Sequence, residues 1–161
     1  MIIILHNIRS LYNVGSIFRT ADAIGVEKIY LCGYTPSPKD KFGKYIPQLS
    51  KVALGAEKSV EWDASARSAQ SIKKLIEKLK ENGYKIFAVE QSKKSVPYYK
   101  LKAKELRLKN IALIVGNEAK GISSSVLKLA DKILEIPMAG SKESLNVSVA
   151  FGIVAFGLKY S

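Results

Sequence analysis

The sequence contains very few side chains that bind metals or form disulfides. It has one cysteine, Cys32, and one histidine, His6, among 161 residues. A single cysteine cannot form an internal disulfide, and one histidine without a cysteine pair supplies no ligand set, so we predict no metal site. Cys32 lies in an apolar strand pattern and is interpreted as a structural thiol. His6, at the end of the first predicted strand, is interpreted as a hydrogen-bonded structural histidine rather than a base.

Long hydrophobic runs are also missing. The apolar stretch from Val147 to Leu158 is too short to span a bilayer, and Met1–Leu5 is too short to be a signal peptide. We therefore expect a cytoplasmic protein with no membrane partner. No Pro/Ser-rich linker, repeat or low-complexity segment divides the chain, so we expect a single domain over residues 1–161.

Three common catalytic motifs are absent. No G-x-G-x-x-G follows a predicted strand, and G-x-x-x-x-G-K-[ST] does not occur, which argues against the usual dinucleotide and triphosphate loops. A Ser-His-Asp hydrolase would have to use His6, and no G-x-S-x-G turn supports one.

Basic residues are in large excess. The chain has 26 Lys and Arg against 14 Asp and Glu, a formal net charge of +12. This favours a polyanionic partner such as nucleic acid, although a solvated lysine surface is the alternative. The lysines are spread along the chain, which predicts a folded basic face rather than a disordered arm.

Apolar runs alternate with helical patterns. Five runs rich in β-branched and aliphatic residues predict strands: Met1–Leu5, Lys28–Cys32, Lys85–Val89, Ile111–Val115 and Lys132–Ile136. Four segments between or after them predict helices: Ser16–Ile24, Ser65–Glu81, Ser123–Ala130 and Asn146–Leu158. This alternation predicts an α/β fold with a mostly parallel sheet flanked by helices.

Sites in such folds lie beyond the carboxyl ends of strands. That rule selects Val89–Gln91, Gly116–Glu118 and Pro137–Gly140. Gly116 would allow a close approach to the backbone, and Glu118 would either belong to a site or favour a helix N-terminus.

Two polar clusters accompany predicted helices. Asn13 and Arg19 are predicted to flank the start of the Ser16 helix, where they could hold phosphate or ribose oxygens. Ser144, Asn146 and Ser148 open the last helix and could either cap it or form part of a site.

Taken together, these residues resemble a known family. The three segments are Asn13…Gly15…Arg19…Ala21, then Ile114–Glu118…Gly121, then Ile136-Pro-Met138…Gly140…Ser144-Leu-Asn146-Val-Ser148-Val-Ala150. They resemble the three motifs of the SpoU/TrmH branch of the SPOUT methyltransferases, in order and toward both ends of the chain. Lys51–Glu57 resembles a further, less diagnostic family segment.

The resemblance implies an RNA ribose 2′-O-methyltransferase that uses S-adenosyl-L-methionine and acts on tRNA or rRNA. It also implies a SPOUT-type fold with a C-terminal trefoil knot, and a homodimer with its active site near the interface. Cofactor-binding residues carried over by the resemblance are Val89, Gly116, Asn117, Ile136, Met138 and Leu145. Catalytic residues carried over are Arg19, Asn13, Glu118, Ser144 and Asn146.

Arg19 would act on the ribose 2′-hydroxyl. It would either accept the proton or stabilise the developing alkoxide and a nearby phosphate, since a guanidinium is normally always protonated. Glu118 could serve the cofactor pocket instead of the chemistry. The alternative function is a catalytically inactive RNA-binding protein with the same fold, and a methyltransferase acting on something other than RNA is a weaker third.

Overall fold

The computed structural model describes residues 1–102, 105, 108 and 110–160. Its seven strands pair in parallel as one sheet in the order β3-β2-β1-β6-β4-β7-β5. The strands are β1 (Ile2–His6), β2 (Lys28–Cys32), β3 (Glu61–Asp63), β4 (Lys85–Val89), β5 (Val96–Pro97), β6 (Ile111–Gly116) and β7 (Lys132–Glu135). The helices are α1 (Leu11–Ala23), α2 (Pro47–Ala53), α3 (Ala56–Ser59), α4 (Ala69–Glu81), α5 (Ser124–Leu127) and α6 (Val147–Tyr160), with a 3-10 turn at Tyr98–Lys100.

The predicted fold class is confirmed, and all five predicted strands are present. Both faces of the sheet are covered, which explains why the strands are apolar on every side. One face packs against α1, α2, α3 and α6, and the other packs against α4 and α5. Within the described part of the chain, no helix is long and apolar enough to cross a membrane.

The predicted start of the first helix is wrong. The helix begins at Leu11, so Asn13 lies inside its first turn and does not flank it. Ser10 caps the helix, because its side chain accepts a hydrogen bond of 3.3 Å from the amide of Asn13. Apolar periodicity could not reveal this start, since the first turn faces polar groups from elsewhere in the chain.

The second predicted helix, in contrast, begins later than expected, at Ala69. Ser68 caps α4 through a reciprocal capping box with Ser71, while Ser65 turns back onto the carboxylate of Asp63. The helix ends as predicted at Asn82 and Gly83, where Gly83 has a φ of 81°. Four short elements, β3, β5, α2 and α3, were not predicted, because they span too few residues to give a periodic signal.

Candidate active site

A cleft of about 230 Å³ lies at the carboxyl ends of the adjacent strands β6, β4 and β7. The first turn of α6 closes one side of it. Its lining consists of Val89, Glu90, Gln91, Val115, Gly116, Asn117, Glu118, Ala119, Gly121, Ile136, Met138, Ser144, Leu145, Val147 and Ala150. All six predicted cofactor residues therefore line a single cleft, together with two of the predicted catalytic residues, Glu118 and Ser144.

The loop after β6 is folded tightly, and its glycines make that possible. Asn117 and Gly121 exchange backbone hydrogen bonds of 3.2 and 2.9 Å. An added Cβ on Gly116 would lie 2.6 Å from the amide nitrogen of Ile122, so the loop folds back where a side chain would stand. Gly121 has a φ of 65° and lies against the carboxylate of Glu90, which accepts a 2.8 Å hydrogen bond from the amide of Ile122.

Asn117 supports the loop with its whole side chain, which is buried. Its Nδ2 donates to the carbonyl of Asn7 and to the hydroxyl of Tyr34, both at 2.9 Å. Its Oδ1 accepts from the amides of Ala119 and Lys120 at 3.0 and 2.8 Å. Since the amide already has four partners, Asn117 contributes shape to the cleft rather than a free polar group.

Three predicted catalytic residues meet in one hydrogen-bonded cluster beside the cleft. Nδ2 of Asn146 donates to Oδ1 of Asn13 at 3.0 Å. Nδ2 of Asn13 donates in turn to a carboxylate oxygen of Glu118 at 2.8 Å. Asn146 also accepts from the amide and hydroxyl of Ser148, at 2.9 and 2.7 Å, and thereby caps α6. The caps of two helices are thus joined to the loop after β6.

Glu118 holds the start of α1 through its carboxylate. It accepts hydrogen bonds from the amides of Arg9 and Ser10, at 3.0 and 3.2 Å, in addition to the one from Asn13. Burial alone would raise the pKa of Glu118, but these hydrogen bonds outweigh it and lower the pKa overall. The group is therefore a carboxylate at neutral pH, which suits a helix N-terminus.

Arg19 stands apart from this cluster. It is exposed on α1, lines none of the described cavities, and makes no described side-chain hydrogen bond or ion pair. It follows Asn13 by six positions, which places it about 120° around the helix from Asn13. Tyr12 lies on the same face as Arg19 and is 55% exposed. One chain by itself therefore does not bring Arg19 to the residues with which it was grouped.

Ser144 is exposed and lines the cleft without a described hydrogen bond. Glu90 and Gln91 also line the cleft; the strand-end rule selects both within Val89–Gln91, although the family resemblance assigns neither of them a role. The carboxylate of Glu90 accepts a hydrogen bond from the amide of Ile122 in the loop after β6. The side-chain amide of Gln91 donates a 2.6 Å hydrogen bond to the carbonyl of Glu143.

The two rare side chains, Cys32 and His6, are both buried in the sheet. Burial raises the pKa of Cys32 to about 12, so the thiol is protonated at neutral pH, as expected of a structural cysteine. His6 is hydrogen-bonded at only one of its two ring nitrogens, so the interpretation as a satisfied structural histidine is wrong for the other. Its Nε2 lies 3.3 Å from Nδ2 of Asn7, but its Nδ1 is buried without a partner among the described residues. Among the described residues no group of three or more His, Cys, Asp or Glu side chains could hold a metal.

Comparison with known proteins gives a family match along nearly the whole chain. The model of the SpoU rRNA Methylase family matches residues 1–156. The chain is 34% identical over 156 residues to a tRNA (guanosine(18)-2′-O)-methyltransferase of Aquifex aeolicus, covering 97% of this chain and 67% of that protein. It is 33% identical over 155 residues to the 23S rRNA (guanosine-2′-O-)-methyltransferase RlmB of Neisseria meningitidis serogroup B, covering 96% of this chain and 56% of that protein.

Solved structures agree with this match. The A. aeolicus TrmH/SpoU tRNA modifying enzyme superposes with a TM-score of 0.79 at 33% identity, covering 98% of this chain and 73% of that one. An AdoMet-bound rRNA methyltransferase from Sinorhizobium meliloti gives a TM-score of 0.83 at 27% identity, covering 98% and 54%. The chain thus spans between about half and three quarters of the length of these relatives.

Proposed function

The chain belongs to the SpoU rRNA methylase family, and from this premise we propose that it transfers a methyl group from S-adenosyl-L-methionine to a ribose 2′-hydroxyl of tRNA or rRNA. The observation that carries the proposal is the meeting of three sequence-distant motifs at one strand-end cleft. Asn13, Glu118 and Asn146 are hydrogen-bonded to one another beside that cleft. Relatives named as tRNA or rRNA guanosine 2′-O-methyltransferases support the reaction class.

The cleft suits the cofactor in its chemistry. Its apolar walls, formed by Val89, Ile136, Met138 and Leu145, match a flat adenine ring, and the strand-end backbone offers hydrogen bonds to the ring edge. The carboxylates of Glu90 and Glu118 line the same cleft and favour a positively charged ligand. When bound, S-adenosyl-L-methionine supplies an activated methyl group on a sulfonium.

The protein must then position the ribose and deal with the proton of its 2′-hydroxyl. We assign that task to Arg19, either as the group that accepts the proton or as the cation that stabilises the alkoxide. Asn13, Glu118, Ser144 and Asn146 orient the reacting groups. Because Glu118 is held ionised by three hydrogen bonds, its role is to fix α1 rather than to shuttle a proton.

A homodimer would bring Arg19 to a second cluster. The outward face of α6 carries three exposed apolar side chains at helical spacing, Val149, Phe156 and Tyr160, which are 48%, 43% and 70% exposed. This face continues onto α1, because Gly152 of α6 stands next to Thr20. A joint apolar surface of this kind is typical of a subunit interface. We propose that Arg19 of one subunit works with the Asn13–Glu118–Asn146 cluster of the other.

We extend the proposal to the chain path and the domain boundary. The segment from Ile136 to Asn146 passes between β7 and α6 along the loops that follow β4 and β6, which is where the C-terminal trefoil knot of the family would form. The two hydrophobic cores pack on opposite faces of one continuous sheet, and this supports a single domain.

The test is methylation of bulk tRNA and of rRNA fragments with methyl-labelled S-adenosyl-L-methionine in the presence of a chelator. The proposal expects label that survives alkaline hydrolysis as a dinucleotide, because a 2′-O-methyl group blocks cleavage of the adjacent phosphodiester. Label recovered on base atoms of mononucleotides would remove the ribose assignment. RNA binding without label, together with no cofactor binding by calorimetry, would point instead to an inactive RNA-binding protein.

A further inference from the structure

A second cavity, of about 640 Å³, adjoins the cofactor cleft. The two cavities share Asn117 and Ala119 as a common wall. The lining of the second cavity consists of Arg9, Leu11, Tyr34, Pro36, Ile46, Asn117, Ala119 and Lys120. We propose that this cavity receives the ribonucleotide that is to be methylated, with its base stacked on Tyr34 and its phosphates on Arg9 and Lys120. The inference rests on the proposed function.

The aromatic ring of Tyr34 is exposed but held in place. Tyr34 is 57% exposed. Its hydroxyl nevertheless accepts a 2.9 Å hydrogen bond from the side-chain amide of Asn117, which is buried. Its backbone amide donates to Oδ1 of Asn7 at 3.3 Å. A ring fixed at both ends with an open face is preorganised for stacking, because little side-chain entropy is lost when a base binds.

The backbone around Tyr34 is built for this position. Asn7 has a φ of 61° and Gly33 a φ of 63°, so both adopt the left-handed conformation. An added Cβ on Gly33 would overlap the amide oxygen of Asn7. The two residues thus pack directly on each other where β1 and β2 end. Left-handed backbone at a non-glycine residue beside a cavity is typical of functional sites.

The charges of the cavity fit a polyanion. Arg9 and Lys120 are exposed at its rim, and neither belongs to an ion pair among the described residues. The floor is apolar, formed by Leu11, Pro36 and Ile46. A flat base against apolar and aromatic groups, with cations near its phosphates, is the arrangement that single-stranded RNA recognition requires.

The test uses an RNA trinucleotide with 2-aminopurine at its centre, whose fluorescence is quenched by stacking. We expect Tyr34→Ala to weaken binding about tenfold and to abolish the quench, whereas Tyr34→Phe keeps the ring and the quench but loses the anchor to Asn117, so its affinity should lie between those of Tyr34→Ala and the wild type. Arg9→Ala and Lys120→Ala keep the quench but each reduces the dependence of log K on log salt by about 0.7. The matched control is Tyr99→Ala, which removes a similarly exposed tyrosine outside the cavity.

Calorimetry with S-adenosylhomocysteine separates this inference from the proposed function. All five variants should bind it as the wild type does, which also shows that they are folded. A Tyr34→Ala protein that binds and quenches the probe like the wild type would overturn the nucleotide site. Loss of S-adenosylhomocysteine binding in Tyr34→Ala, to the same extent as loss of the probe, would also overturn it, because Tyr34 would then support the fold. A wild type that ignores S-adenosylhomocysteine but stacks the probe on Tyr34 would defeat the proposed function and leave the site standing.

Discussion

Asn146 donates a 3.0 Å hydrogen bond to Asn13, a residue 133 positions earlier in the chain. The bond joins the cap of α6 to the first turn of α1, and Asn13 in turn donates a hydrogen bond to the carboxylate of Glu118. Two helix starts and one strand-end loop are therefore held in a fixed relation by side-chain amides and one carboxylate. A network of this kind fixes the relative positions of α1, α6 and the loop after β6.

The first prediction concerns this bond. Asn146→Ala should lower the free energy of unfolding by about 1 kcal/mol through loss of the cap, and Asn146→Ser should restore most of that cap. The serine variant still lacks the amide that reaches Asn13. A double-mutant cycle with Asn13→Ala in urea should give a coupling energy of about 1 kcal/mol for Asn146→Ala. Strictly additive effects of the two substitutions would contradict a direct interaction.

The second prediction concerns Arg19. Arg19→Ala should reduce methyl transfer by at least about 100-fold while cofactor affinity stays unchanged, because Arg19 lies outside the cofactor cleft. Mixing inactive Arg19→Ala with inactive Asn146→Ala should restore about a quarter of the wild-type activity, since half of the dimers would each contain one intact shared site. Arg19→Ala mixed with itself is the control, and absence of recovery would mean that each site is built within one subunit.

The third prediction concerns the outward face of α6. Phe156→Glu should convert the proposed dimer to a monomer, because the charge would have to be buried at the interface. Phe42→Glu, at an exposed aromatic position in the loop before α2, should leave the mass unchanged. Light scattering at micromolar concentration measures both. A monomeric wild type with full activity would exclude the shared site.

The fourth prediction concerns pH. Burial lowers the pKa of His6 below its ordinary value of 6.5. Just below pH 6.5, His6 is therefore protonated in the unfolded chain but still neutral in the folded chain. The contribution of the neutral histidine to stability is therefore complete above about pH 6.5 and is lost as the pH falls below that value. His6→Gln should flatten the free energy of unfolding between pH 7 and pH 5. Identical slopes for variant and wild type would show that His6 is protonated equally in both states.

The fifth prediction concerns RNA binding. A chain with a net charge of +12 should bind RNA with a steep salt dependence, a slope of about −0.7 in log K against log salt for each single-strand phosphate contact. Filter binding between about 50 and 200 mM salt measures that slope. A shallow slope would mean that base contacts, not phosphates, provide most of the affinity.

The sequence predicts the long elements and the clustering of the strand-end residues, and the structure shows why. Strands such as β6 are buried on both faces, and their continuous apolar pattern depends only on that burial. Parallel strands end at one edge, so the residues after β4, β6 and β7 had to meet there. Val89, Gly116 and Met138 accordingly line a single cleft.

Other features depend on contacts that no local pattern contains. The start of α1 is held by Glu118, which lies 108 positions after Ser10. In the sequence, nothing distinguishes Tyr34 from other loop tyrosines. Only the structure shows that its hydroxyl accepts a hydrogen bond from Asn117. Arg19 shares a motif with Asn13 but occupies another face of the helix, so the motif alone could not say that a single chain leaves it outside the cluster.

The placement of β6 at the centre of the sheet affects how the molecule folds. It separates β1 from β4, and its pairing with β1 brings His6 opposite Gly116. Pairing two strands that are far apart in the sequence costs loop-closure entropy before their contacts can stabilise the chain. Folds dominated by such long-range pairings therefore reach the native state slowly. Until β6 inserts, β1 and β4 each present an unpaired apolar edge, so the folding chain is exposed to aggregation over that interval.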